Sequence, residues 1–118
     1  MKLTVVKVKE HGSLKNERII LKAISDVDVG SYMIADTTYI KENEVSNKLR
    51  HTFWLPDKVI NKNDLVVIYT KVGKDSVNNN KSGSKTYFFY WGLDKTIWNI
   101  NEDAAAIFYI KDWISSKV

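Results

Sequence analysis

At 118 residues the chain has room for one domain with one continuous core, and no shift in composition divides it. Hydrophobic residues make up 44% and charged residues 27%, which excludes a disordered chain. Cysteine is absent, which excludes disulfides and thiolate metal sites, and a net charge of +4 from 18 basic and 14 acidic residues leans mildly toward anionic partners.

Period two dominates from the start. The opening Met-Lys-Leu-Thr-Val-Val-Lys-Val-Lys predicts a first strand carrying Thr4, Val6 and Val8. It lacks the roughly 7–15-residue apolar core of a signal peptide, and no later run reaches the roughly 18 residues of a membrane span. A cytoplasmic protein is therefore the expectation. A second strand over 18–24 sets Ile19, Leu21 and Ala23 on one face and Ile20 and Ile24 on the other. Residues 32–40 and 52–55 follow, rich in β-branched and aromatic side chains, the latter stopped by Pro56-Asp57. The near-continuous Val, Ile and Tyr of 65–70 reads as a buried central strand. Residues 86–91 and 104–110 complete the series, with Trp113 expected to pack on the last strand.

Turn signals separate these runs: His11-Gly12-Ser13, Asp26 to Gly30, Pro56-Asp57, Asn61 to Asp64 and Gly92 to Asp94. Short strands at this spacing predict a single all-β domain over 1–118, a β-sandwich of roughly seven to nine antiparallel strands. The polar stretch inside 71–85 reads as one long hairpin loop. Trp98 enters a polar turn and an apolar strand leaves it, the arrangement of a hairpin corner.

Reactive constellations are scarce. No Gly-x-Ser-x-Gly elbow and no phosphate-cradling glycine loop occurs, so neither a nucleotide cofactor nor any other is expected. Asp26-x-Asp28-x-Gly30 fails the calcium-loop pattern and reads as a turn, so no metal site is assigned. Asp36, Asp57, Asp64, Asp94 and Asp103 read mostly as strand-end caps. Lys71, Lys74, Lys81 and Lys85, opposed only by Asp75, form a candidate contact for a phosphate backbone. Arg50 and His51, in Arg50-His51-Thr52-Phe53-Trp54, interleave charge with aromatic rings in a pattern usable for stacking on bases. The plain alternatives are a solubilising loop and core rings.

The order of these segments resembles the lamin-tail domain over about residues 17–113. Arg18 to Ile24 is similar to its opening strand and Tyr32-Met33-Ile34-Ala35-Asp36 to its second. Phe53-Trp54-Leu55-Pro56 resembles its Phe-x-Phe-Pro segment, and Asn63-Asp64-Leu65-Val66-Val67-Ile68 its Gly-Asp-x-Val-x-Val strand. The stretch from Trp98 to Ile107 resembles its Trp-Asn-Asn-x-Gly-Asp corner, and with Tyr90-Trp91-Gly92 it completes the resemblance. Asn63 stands where the family has glycine, and Ile100 and Glu102 replace the corner's usual Asn and Gly. The resemblance implies an immunoglobulin-like β-sandwich without catalytic machinery, which in nuclear lamins contacts DNA, chromatin and proteins. The expected function is thus a non-catalytic module binding protein or nucleic acid through the basic loop or an exposed strand edge, with no membrane role. Two alternatives remain open: a small hydrolase or lyase pairing His51 with an aspartate, and a self-associating structural domain.

Overall fold

The computed structural model describes residues 1–99 and 101–118. The described residues form eleven strands: β1 (Leu3–Lys9), β2 (Arg18–Ala23), β3 (Val27–Asp28), β4 (Tyr32–Lys41), β5 (Glu44–Val45), β6 (His51–Trp54), β7 (Val59–Ile60), β8 (Leu65–Tyr69), β9 (Ser76–Asn79), β10 (Lys85–Tyr90) and β11 (Asp103–Tyr109). A 3-10 turn at Val29–Ser31 is capped by Asp28, whose carboxyl accepts from the Gly30 N–H at 2.9 Å. Asp26 likewise accepts from the Lys62 N–H, so this acidic run is turn chemistry.

Five strands make one sheet in the order β1-β2-β8-β10-β9. A second sheet places β4 between β11 on one side and β6 and β5 on the other, and β3 with β7 forms a small third ladder. The two large sheets bury their facing residues against each other, a β-sandwich-like arrangement. Ile19, Leu21, Val66, Ile68 and Phe89 from the first meet Tyr32 and Ile34 from the second, with Ala105, Ile107 and Phe53 packed at the margin. Period-two alternation explains this assignment, since every second side chain of a strand shares a face.

Several expectations need correction. The ladders are not all antiparallel: β10 runs parallel to β8, because the polar stretch read as one long loop contains β9. The chain leaves β8, crosses to the outer edge, runs along β9 and returns as β10 between them. The true loop is the turn at 80–84, where Asn80 N–H bonds Ser84 O and Gly83 N–H bonds Asn80 O. The β1 alternation also breaks. A register shift between Val5 and Lys7 leaves Val6 exposed and returns Val8 to the core side. Trp98 is buried beside Ile97 but enters no hairpin, since the preceding strand, β10, lies in the other sheet. The corner is a crossing between sheets, closed by Asp103, whose carboxyl accepts from the Asn99 N–H at 2.7 Å. Ile100, read as a departure within that corner, lies outside the described residues. Trp113 packs edge-on against Trp54, with centroids 5.3 Å apart. Asn63 takes φ 75°, the left-handed geometry that asparagine tolerates in place of glycine.

Candidate functional site: a basic and aromatic sheet face

The outer face of the five-stranded sheet follows from its register. Directly paired residues share a face, so Lys9, Arg18, Tyr69 and Tyr90 form one row across four strands. Lys7, Ile20, Val67, Phe88 and Ser76 form the next, and Thr4, Lys22, Leu65, Thr86 and Asn78 the third. No acidic residue occupies any of these positions. The opposite alternation holds the apolar core, which is why such a polar row is tolerated here.

The first row is a stack. The Tyr69 and Tyr90 rings are 12° from parallel with centroids 5.4 Å apart, and Phe88 lies 6.4 Å from Tyr69. Two cations sit over Tyr69: the Arg18 guanidinium carbon at 5.7 Å and the Lys71 Nζ at 5.0 Å from its centroid. A ring quadrupole attracts each cation. The Gly73 main chain closes the far end, so near Tyr90 that a Cβ there would lie 2.2 Å from its ring.

The six residues singled out in the sequence are dispersed. Lys71 belongs to this face. Lys74 follows it as an exposed residue, Lys81 occupies the 80–84 turn, and Lys85 alternates with Tyr87 and Phe89 on the opposite face. Arg50 and His51 lie in the other sheet. There Asp36, inward-facing in the middle of β4, is 1% exposed. One of its oxygens accepts from the His51 N–H at 2.8 Å and lies 3.0 Å from His51 Nδ1. The other meets Arg50 Nε at 3.3 Å, and the same guanidinium continues to Thr38 and Asp103. Asp36 is therefore a mid-strand ion-pair partner and not a turn cap. The Arg50 guanidinium is paired with both Asp36 and Asp103, which removes it from the free cations. Trp54, read as core, is exposed, while Phe53 packs against the core.

Lys7, Lys9, Arg18, Lys22, Tyr69, Phe88 and Tyr90 were missed. The signal was present as alternation, Arg18-x-Ile20-x-Lys22 against Ile19-x-Leu21-x-Ala23, but strand neighbours are needed to see that these rows converge. Among the described residues, no helix is long and apolar enough to cross a membrane. No protein-family model, curated protein or solved structure matches the chain.

Proposed function

We propose that the chain is a non-catalytic binding module on an immunoglobulin-like sandwich of the lamin-tail kind, and that it contacts nucleic acid through the outer face of its five-stranded sheet. The observation that carries this reading is the convergence of Lys7, Lys9, Arg18, Lys22 and Lys71 on one face free of acidic residues at its register positions. Phosphate contacts by lysine and arginine supply sequence-independent affinity through counterion release. The rings between them add a surface for bases.

Fluorescence anisotropy of labelled DNA and RNA at about 50 and 200 mM salt tests it. Five neutralised phosphates on a single strand correspond to a slope near −3.5 in log K against log salt, a loss of about a hundredfold across that range. Absence of binding at the lower salt would discard nucleic acid and turn attention to protein partners.

A hydrolytic reading has one observation in its favour, the 3.0 Å contact between His51 Nδ1 and Asp36, the kind that orients a general base. Asp36 is shared with Arg50 in a strut that joins β4 to β11, and we assign the pair to structure on that ground. Ester or phosphoester hydrolysis that disappears in His51→Ala would reverse that assignment.

A further inference from the structure

We infer that this sheet face takes single-stranded nucleic acid in preference to duplex, with Phe88 as the ring that stacks a base; the inference rests on the nucleic-acid reading above and narrows it. The face is a broad sheet surface of five strands, roughly 19 Å across and roughly 13 Å along β8 from the usual strand dimensions. A duplex is a convex rod, read by an element that projects into its groove, and the face offers no such element. A rod laid on a sheet meets it along a line and reaches few of the five cations. A single strand lies on the surface, splays its bases and reaches them all.

The rings divide the work. Tyr69 has Tyr90 stacked beside it and two cations over it, so it acts as a cation holder. Arg18 and Lys71 are already fixed above the sheet, and less side-chain freedom is lost when a phosphate arrives. Tyr90 is blocked on its far side by the Gly73 main chain. Phe88 differs: its partner on β9 is Ser76, too small to cover the ring on that side. Beyond the third row the face runs into a polar depression lined by Lys22, Lys62, Asn80, Ser84 and Asp64; the Asp64 carboxyl is buried and accepts from the Asn61 and Lys85 N–H groups, while the others supply hydrogen-bonding groups for an emerging base or sugar.

Anisotropy titrations with a labelled strand of about 12 nucleotides, alone and annealed to its complement, test the inference at about 50 mM salt, within the site sizes known for sheet-face binders. The single strand should bind at least tenfold tighter than the duplex. Phe88→Leu, which keeps apolar bulk but removes the ring, should weaken single-strand binding by about tenfold and leave duplex binding unchanged. Lys22→Gln should lower the salt slope by about 0.7 with the ring intact. Circular dichroism melts of each variant confirm that the domain is folded before titration. Equal affinity for strand and duplex, or a neutral Phe88→Leu in a folded protein, overturns this inference while leaving the nucleic-acid reading in place. No binding of either form overturns both.

Discussion

Glu17 is fully buried, and its carboxyl group is met by donors only. One oxygen accepts from the Thr70 hydroxyl at 2.7 Å and from the Ile97 N–H at 3.1 Å, and the other from the Gly12 N–H at 2.9 Å. Its main-chain carbonyl accepts from the Thr70 N–H at 3.2 Å. One side chain thus ties together the β1–β2 connection, the end of β8 and the approach to the sheet crossing, segments as far as 80 residues apart in sequence. Glu17→Ala strands the Ile97 N–H and the Thr70 hydroxyl, at about 1–3 kcal/mol each, and the emptied volume adds to the loss. The expected cost is about 3–6 kcal/mol, a large share of the 5–15 kcal/mol typical of such a domain. At about 4 °C per kcal/mol the melting temperature should fall by roughly 10–25 °C. Glu17→Gln keeps one acceptor and turns an amide N–H toward the other donors, so about half the loss is expected. Urea unfolding followed by tryptophan fluorescence measures each variant, with an unchanged m-value showing that stability alone has shifted. The Glu17→Ala/Thr70→Val double mutant should cost less than the sum of its parts, because both remove one bond. A loss below about 1 kcal/mol for Glu17→Ala, or strict additivity in the cycle, would refute the latch.

Three further outcomes are expected. Asp36→Ala leaves the half-buried His51 N–H without its acceptor and Arg50 without its inner partner, so thermal melts should show a loss of about 1–3 kcal/mol. Gly73→Ala forces a methyl group into the Tyr90 ring, and a cost of about 1–3 kcal/mol is expected in urea unfolding, with weaker aromatic circular dichroism from the displaced Tyr69–Tyr90 stack. Trp113→Ala removes only an edge-on contact with Trp54 outside the core, so stability should change by less than about 1.5 kcal/mol while limited proteolysis after residue 110 accelerates.

What was legible in the sequence was whatever one strand states by itself. Ile19-x-Leu21-x-Ala23 declares a buried face without reference to any neighbour, and the Val-Ile-Tyr run of β8 declares a central strand, the third of five. Asn63 and Asp28 declare their turns because asparagine tolerates a positive φ and aspartate caps N–H groups within a few residues. The parallel β8–β10 ladder was illegible, because it depends on whether the four residues Ser76 to Asn79, three of them polar, pair with β10, and their side chains bury nothing that would announce a strand. Asp36 was misplaced for a related reason. An acid at an inward position reads as an end of strand until the arginine that pairs with its charge is known, and Arg50 arrives 14 residues later, just ahead of the strand that pairs with β4. The candidate site lies on the same side of this divide. Lysine, arginine and tyrosine on the outward faces of β1, β2, β8 and β10 each look like ordinary solvated residues, and attention falls on the lysine-rich loop where charge is dense in sequence. Register converts them into rows, so that Lys9, Arg18, Tyr69 and Tyr90, spread over most of the chain, become neighbours about 5 Å apart from strand to strand. A binding face on a sheet is thus hidden from sequence in proportion to how non-local the sheet is, and this sheet joins the first strand of the chain to the tenth.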